Sequence, residues 1–262
     1  APVESVKEME DQLKQTFHLK EVFVSPNLVD DEEINLRDTC RALAGNLDKY
    51  IIDNTVVAVS WGNTLNCLAG QIQPLKAKDI KVVQLNGGVA KSASSTGASQ
   101  IVDALTMAGH GIGYMFPVPA IVDSKHTSEI LQEETQVKNV LRLAKEAEVS
   151  IFSIGALSKD SILYEVEYLK DEDFQALEKN KAVGDIASRY FDINGNIALK
   201  ELDDRVVGFG LEELREKEWT IAIAVGVNKV DAIIGALRAG FMNVLYTDEK
   251  TAREILNRNL LG

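Results

Sequence analysis

The sequence predicts an α/β fold in which helices cover both faces of a parallel sheet. Short runs rich in β-branched residues recur along the chain, and most are followed within a few residues by a pattern with helical spacing. Strands that alternate with helices are typical of parallel sheets. The chain has 262 residues, of which 45% are hydrophobic, and this is enough to fill a sizeable core.

The elements follow one another in a regular order. Apolar residues at helical spacing predict an amphipathic helix over residues 4–17, and a strand follows over 21–25. A second helix covers 31–49, where acidic residues crowd the first turn as the helix macrodipole prefers. The further predicted strands are 56–60, 81–85, 150–154, 220–225 and 243–247. The further predicted helices are 64–72, 97–108, 135–147, 229–239 and 248–258.

The interval 156–218 breaks this alternation. Two acidic helices are predicted over 160–169 and 171–179, and the turn signal Asn194-Gly195-Asn196 between two strand-like runs indicates a hairpin. We therefore expect this interval to be an inserted cap beside the main sheet.

Composition excludes several classes of protein. No apolar run approaches the roughly 20 residues that a bilayer-spanning helix needs, so we expect a soluble, cytoplasmic protein with no membrane partner. The net charge is −12 and the basic residues are not clustered, which argues against direct binding of nucleic acid by this chain.

The usual cofactor and metal motifs do not occur in the sequence. No GxGxxG follows a strand and no GxxxxGK[ST] is present, so we expect no nucleotide cofactor. The histidines His18, His110 and His126 are scattered, which gives little support to a histidine-based catalytic or metal site. Cys40 and Cys67 lie in apolar helical patterns without paired Cys/His spacing, and we expect neither a disulfide nor a metal site there.

Candidate binding residues follow the predicted strands. Ligands of open parallel sheets collect at the carboxyl ends of the strands, where helix N-termini point into the crevice. The segment Gly62-Asn63-Thr64 offers close backbone approach, a hydroxyl group and a helix N-terminus, a combination that favours an anion. Lys229 follows another strand and supplies a positive charge at the opposite rim.

Each of these residues has a structural alternative. Asn63 or Thr64 could instead be an ordinary N-cap, and Lys229 could be a solvated surface lysine. Asp185 is flanked by apolar residues, and it is either a turn residue or an acceptor for hydroxyl groups in a cavity. Trp61 either stacks on a ligand or is buried against the next helix.

The order of four motifs resembles the effector-binding domain of the SorC family of bacterial transcriptional regulators. The motifs are VAVSWGNTL, VVQLNGGVA, VGDIASRYFDINGNI and GVNKVDAIIGALRAG, and the likeness covers nearly the whole chain. The resemblance implies a Rossmann-like sheet related to sugar-phosphate isomerases, with residues 1–262 forming a domain that binds a phosphorylated sugar. It also implies an N-terminal helix-turn-helix domain that binds operator DNA. The chain starts without Met, so we expect that domain to precede it.

The resemblance further implies that Gly62, Asn63 and Thr64 form the phosphate-binding turn and that Lys229 completes the charge. We expect a homodimer or homotetramer, because a palindromic operator demands a symmetric protein.

On the same resemblance, Asn86 occupies a position where relatives carry a basic residue that touches the ligand, next to Gly87 and Gly88. Its neutrality here favours a singly phosphorylated sugar over a bisphosphate. Asp185 corresponds to an acidic position suited to accepting hydrogen bonds from sugar hydroxyls, and Gln84 assists from the preceding strand.

Three functions remain open from the sequence. The leading hypothesis is a ligand-sensing, non-catalytic domain of a transcriptional regulator. The alternative is an active sugar-phosphate isomerase, for which Asp185 is the one candidate base. The third is a sheet whose glycine loops serve chain reversal alone, and this predicts no stabilisation by any ligand.

Overall fold

The computed structural model describes residues 5–89, 97–165 and 168–261. A seven-stranded parallel sheet of order β1-β10-β9-β5-β2-β3-β4 forms the centre, and an antiparallel sheet of order β6-β7-β8 lies apart from it. The strands are β1 (Glu21–Ser25), β2 (Val56–Val59), β3 (Lys81–Gln84), β4 (Ile112–Tyr114), β5 (Val149–Ser153), β6 (Gly155–Ala156), β7 (Ala182–Ile186), β8 (Arg189–Asp192), β9 (Trp219–Ile223) and β10 (Val244–Asp248).

The helices of the described residues connect these strands. They are α1 (Val6–Phe17), α2 (Glu32–Tyr50), α3 (Asn63–Ala69), α4 (Gln100–Ala108), α5 (Lys125–Glu133), α6 (Thr135–Glu146), α7 (Ile162–Glu165), α8 (Asp171–Lys179), α9 (Lys200–Asp203), α10 (Val230–Ala239) and α11 (Glu249–Leu261), with short 3₁₀ turns at Leu211–Glu216 and Val227–Lys229. The predicted α/β class is thus confirmed. No helix in the described ranges is long and apolar enough to cross a bilayer.

Local sequence sets the ends of the first two long helices. Ser5 starts α1 with a capping box, in which its side chain accepts from the Glu8 amide and the Glu8 carboxylate accepts from the Ser5 amide. Asp31 starts α2 by accepting from the Ile34 amide at 3.1 Å. Both helices begin within two residues of the predicted start.

Strand residues alternate between two apolar cores, as the period of two requires. In β2, Val57 and Val59 pack with α2, α3 and α4 on one face, whereas Ala58 packs with α1, α6, α10 and α11 on the other. All three side chains are fully buried. A third cluster, which includes Trp61 and Tyr190, lies under the segment that contains α7, α8 and α9.

The strand order reverses between β2 and β5. The chain runs outward from β2 through β3 to β4, and then returns to the other side of β2 and continues from β5 through β9 to β10. Such a switch point opens a crevice beyond the carboxyl ends of the two central strands, which is where open α/β sheets bind ligands.

The structure differs from the sequence prediction in several places. Strands β4 and β6 and helices α5 and α9 were not predicted. The described helical part of the predicted helix 160–169 is only Ile162–Glu165. The tight turn between the two long hairpin strands lies at Ala187-Ser188, both with positive φ, whereas Asn194-Gly195 makes a later turn closed by one bridge between Phe191 and Ile197.

Candidate functional site

A cavity of about 290 Å³ opens beyond the carboxyl ends of β2 and β5. One wall is the turn from β2 into α3, and the opposite wall is the β7–β8 hairpin. The segment after β6 and the turn Val227–Lys229 complete the lining. Of the predicted site residues, the structure brings six together here, namely Gly62, Asn63, Thr64, Asn86, Asp185 and Lys229.

The turn into α3 is shaped by Gly62. This residue has φ of 139°, a conformation that L side chains rarely adopt, and it is the N-cap of α3 without a side-chain cap hydrogen bond. The interpretation of Asn63 or Thr64 as the N-cap is therefore wrong. The first amides of a helix have no intrahelical acceptor, so an uncapped N-terminus that lines a cavity suits an anion.

Lys229 lies at the end of the 3₁₀ turn that leads into α10. Its ammonium makes no ion pair with any residue that the structure describes. Burial lowers the pKa of Lys229, although the carboxylates of Glu32 and Asp185 act in the opposite direction. A partly buried cation at a helix N-terminus is unfavourable unless an anion accompanies it. The geometry therefore favours a bound anion over a solvated surface lysine.

Asp185 lies on β7, where the hairpin turns into the cavity. Its Oδ2 accepts a hydrogen bond from the Ser188 amide at 3.1 Å. Burial raises the pKa of Asp185 to about 6, although the Ser188 amide and Lys229 favour the carboxylate. Asp185 is thus both a turn residue and an acceptor exposed to the cavity, so the two readings of the sequence combine.

Asn86 is buried on the hairpin side of the cavity. Its Nδ2 donates to the Ser188 hydroxyl at 3.1 Å. Its Oδ1 is buried and has no hydrogen-bond partner among the described residues. An unpaired buried acceptor costs free energy, which a ligand hydroxyl donating to it would recover.

Three predicted residues do not line the cavity. The Gln84 side chain bonds to the backbone at both of its polar atoms, since Nε2 donates to the Ala98 carbonyl at 2.8 Å and Oε1 accepts from the Phe116 amide at 2.9 Å. Gly87 packs so closely that a Cβ there would meet the Val118 carbonyl oxygen at 2.5 Å. Gly88 pairs with the same segment through a bridge to Pro119. The placement of these three indicates a structural role.

Trp61 closes the cavity beside the glycine turn. The indole is buried within an apolar cluster, and its Nε1 donates to the Gly87 carbonyl at 2.8 Å. Trp61 is also one of the residues that line the cavity. Burial and this hydrogen bond fix the orientation of the indole ring.

Further polar side chains line much of the remaining surface, most of them with hydroxyl groups, and apart from Thr64 the sequence analysis did not select them as site residues. Ser158 and Asn228 follow predicted strands, so the strand-end rule alone would have found them. Ser161, Ser188 and Tyr190 come from the segment beside the main sheet, where no sequence signal marked them. The hydroxyl-bearing residues of the lining are Ser60, Thr64, Ser153, Ser158, Ser161, Ser188 and Tyr190.

The site can bind an anion at one end and a polyol at the other. The α3 N-terminus and Lys229 favour negative charge, whereas Asp185, Asn86 and the serines offer acceptors and donors to hydroxyl groups. In the described ranges no cluster of three or more His, Cys, Asp or Glu side chains is arranged to hold a metal ion.

Comparison with known proteins agrees with this chemistry. The family model Sugar-bind, described as "Putative sugar-binding domain", matches residues 1–257. The deoxyribonucleoside regulator of Bacillus subtilis is 31% identical over 256 residues, which cover 98% of this chain and 82% of that protein. The transcriptional regulator LsrR of Escherichia coli K12 is 31% identical over 260 residues, which cover 97% of this chain and 78% of LsrR.

Solved structures give the same picture. A domain of a "possible sugar-binding transcriptional regulator" from Arthrobacter aurescens TC1 superposes with a TM-score of 0.90 at 28% identity, and the match covers 98% of this chain and 99% of that one. A DeoR family regulator from Listeria monocytogenes superposes with a TM-score of 0.87 at 27% identity, and covers 95% and 99%. The chain therefore belongs to the family of sugar-binding domains of SorC-type transcriptional regulators, as the resemblance of its motifs indicates.

Proposed function

We propose that the cavity binds a singly phosphorylated sugar, and that the bound sugar changes the affinity of an attached helix-turn-helix domain for operator DNA. One observation carries the proposal: the N-terminus of α3 and Lys229 line the same cavity, and among the described residues α3 has no side-chain cap and Lys229 has no ion pair. A dianionic phosphate group satisfies both.

The end of the cavity beside the β7–β8 hairpin binds the hydroxyl groups of the sugar. Asp185 accepts hydrogen bonds from sugar hydroxyls, and Asn86 Oδ1 accepts another. Because Asn86 is neutral, the described residues on the hairpin side of the cavity offer no second cation, which favours one phosphate group over two. The interval 156–218 acts as a cap on the sugar, since it supplies Asp185, Ser188 and Tyr190 to the lining.

Binding controls DNA affinity only if the sugar binds two conformations of the protein unequally. The relatives with this domain are transcriptional regulators, which supports a sensing role without turnover. The protein acts as a cytoplasmic homodimer or homotetramer. Analytical ultracentrifugation of the chain tests the oligomeric state directly. A monomer at all concentrations contradicts it.

A thermal-shift screen tests the function. The panel contains ribose 5-phosphate, 2-deoxyribose 5-phosphate, glucose 6-phosphate, glucosamine 6-phosphate and inorganic phosphate. A true effector at a hundred times its Kd stabilises the chain by about 2.7 kcal/mol. Lys229→Ala removes this gain, and Thr64→Val reduces it, whereas neither unfolds the free protein.

Lys250→Ala is the matched control. Lys250 lies in a neighbouring cleft and pairs with Asp30, so its loss leaves the stabilisation intact. Equal stabilisation of Lys229→Ala and the unaltered protein contradicts the site assignment. Conversion of any panel sugar by the purified chain contradicts the sensing role and favours an isomerase.

A further inference from the structure

Gly155 lies two residues beyond the carboxyl end of β5 and lines the cavity. In the antiparallel pairing of β6 with β7 it stands directly opposite Asp185. Residues that are directly opposite each other have side chains on the same face of a sheet, with Cβ atoms about 4.5–5.5 Å apart. A side chain at position 155 would therefore project beside the Asp185 carboxylate.

The backbone conformation of Gly155 does not itself require glycine, because its φ lies outside the positive region that L side chains rarely adopt. The obstacle to a side chain is Asp185. A Cβ at position 155 would come within 2.5 Å of the Asp185 Oδ1, whereas the next nearest atoms are the Asp185 Cγ at 3.6 Å and the Asp185 carbonyl oxygen at 3.9 Å. A glycine within a strand often marks a close approach of this kind. The carboxylate oxygen is thus what excludes a side chain here.

The two oxygens of the Asp185 carboxylate have different surroundings. Oδ2 accepts a hydrogen bond from the Ser188 amide at 3.1 Å, which ties it to the turn between β7 and β8. Oδ1 lies against Gly155 and accepts no hydrogen bond from any residue that the structure describes. An ionised carboxylate oxygen accepts hydrogen bonds at two lone pairs. Because Asp185 and Gly155 both line the cavity, Oδ1 is the oxygen left for a ligand donor.

We propose that Gly155 is a positioning residue that determines how the cavity binds sugars, because the absence of a Cβ lets Asp185 Oδ1 stand where a sugar hydroxyl donates to it. The effect on the ligand rests on the proposed function, whereas the placement of the carboxylate does not. Gly155→Ala displaces Oδ1 by rotating the Asp185 side chain, since the backbone conformation accepts alanine and the methyl group meets no other atom this closely.

Gly184 is the matched control, because it lies next to Asp185 in β7 and its role is packing. A Cβ at position 184 would overlap the Gly155 carbonyl oxygen and the Ala232 Cβ. Neither atom can be moved by a side-chain rotation, so Gly184→Ala has to shift the backbone. That cost does not depend on which residue occupies position 185.

The first experiment is a double-mutant cycle on the melting temperature of the ligand-free chain. We expect Gly155→Ala to lower it by about 2–4 °C, because the Asp185 side chain must leave its preferred rotamer. In the Asp185→Ala background the same substitution changes it by less than about 1 °C, since no carboxylate is left to displace. Gly184→Ala lowers it equally in both backgrounds. Equal effects of Gly155→Ala in the two backgrounds overturn the proposal.

The second experiment separates the two ends of the cavity. Calorimetry measures the affinity for inorganic phosphate and for whichever panel sugar stabilises the unaltered chain. We expect Gly155→Ala to weaken sugar binding by about tenfold or more, as the loss of a hydrogen bond to a charged group does. Phosphate affinity changes by less than about twofold, and so does sugar affinity when Gly155→Ala is made in the Asp185→Ala background.

Two results of the binding experiment overturn the proposal. One is an equal loss of affinity for sugar and for phosphate in Gly155→Ala. The other is the same loss of sugar affinity with Asp185 present and with Asp185→Ala, since a glycine that acts only on the fold does not depend on the carboxylate. If no sugar stabilises the unaltered chain, the proposed function fails, while the melting temperatures still decide whether Gly155 places Asp185.

Discussion

Asp185 is an acid whose surroundings oppose its charge. It is held in the hairpin by the Ser188 amide, and burial raises its pKa to about 6. Lys229 and Tyr190 share its environment. Burial, and then the charge of Asp185, raise the pKa of Tyr190. Burial lowers the pKa of Lys229. The Asp185 carboxylate therefore changes its charge near pH 6.

The first prediction concerns the pH dependence of ligand binding. Sugar hydroxyls donate to the carboxylate form, so the affinity falls as pH falls through 6, by about tenfold at pH 5. Asp185→Asn binds more weakly at pH 7.5 and loses this part of the dependence. The ligand phosphate titrates near the same pH, and the ratio of unaltered to Asp185→Asn affinity, measured by calorimetry from pH 7.5 to 5, removes that contribution. A ratio that is constant with pH contradicts the role of Asp185.

Asp185 also predicts a change in stability without ligand. Its pKa is higher in the folded chain than in the unfolded one, so folding binds a proton between about pH 4 and 6, and the free energy of unfolding falls as pH rises through that window. At pH 7 the buried charge is a cost. We therefore expect Asp185→Asn to raise the free energy of unfolding at pH 7 by up to about 3 kcal/mol, measured by urea denaturation. The gain nearly disappears at pH 3.5, where the unaltered residue is mostly protonated in both states.

Gly62 and Gly45 form a matched pair, because a Cβ at either position meets no atom within 4 Å. They differ in backbone conformation: Gly62 has φ of 139°, whereas Gly45 lies within α2. We expect Gly62→Ala to destabilise the chain by roughly 1–3 kcal/mol through strain alone and to weaken phosphosugar binding. Gly45→Ala stabilises it by roughly 0.5–1 kcal/mol, as alanine does within a helix. Equal melting temperatures for the two variants contradict this account of the turn.

A buried lysine from another part of the chain caps the C-terminus of helix α6. The Lys217 Nζ donates to the carbonyl oxygens of Ala144 at 2.7 Å, Lys145 at 3.2 Å and Ala147 at 2.8 Å, and these are the carbonyls that lack partners at a helix C-terminus. Burial lowers the pKa of Lys217 to about 8. The side chain thus acts as a C-cap supplied from a distant part of the chain.

Replacement of this cap has a predictable cost. Lys217→Met leaves the carbonyls without a donor, and we expect the free energy of unfolding to fall by about 2–3 kcal/mol in urea denaturation at pH 7. Lys145→Met, an exposed lysine in the same helix, changes it by less than about 0.5 kcal/mol. A loss of the same size in both variants shows that the buried contacts of Lys217 are not what stabilises the end of α6.

The elements that the sequence predicted well are those with long periodic patterns. Helices α1, α2 and α6 and the buried strands match closely, because each buries one continuous face. Strand β4 has three residues, one of which is Gly113, and this is too short to show a period. The tight hairpin turn lies at Ala187 and Ser188, which both have positive φ, a conformation that neither residue favours. The sequence therefore indicated the later turn at Asn194-Gly195 instead.

The site as a whole could be predicted only in part, since its lining comes from five separate segments of the chain. The strand-end rule found the α3 turn and Lys229, because topology alone places them at one edge of the sheet. The same rule also selected Gln84, although its side-chain amide forms hydrogen bonds with backbone atoms in the structure. The sequence does not show which groups a side chain will contact. The contribution of Ser161, Ser188 and Tyr190 depends on how interval 156–218 folds over the sheet.

The location of the phosphorus atom in a crystal structure of the chain with its effector tests the central claim most directly. We expect the phosphate oxygens to accept hydrogen bonds from the backbone amides at Asn63 and Thr64 and from the Lys229 ammonium, with the sugar directed towards Asp185. A phosphate group bound instead in the neighbouring cleft beside Lys250, with the cavity behind Gly62 left to solvent, contradicts the account.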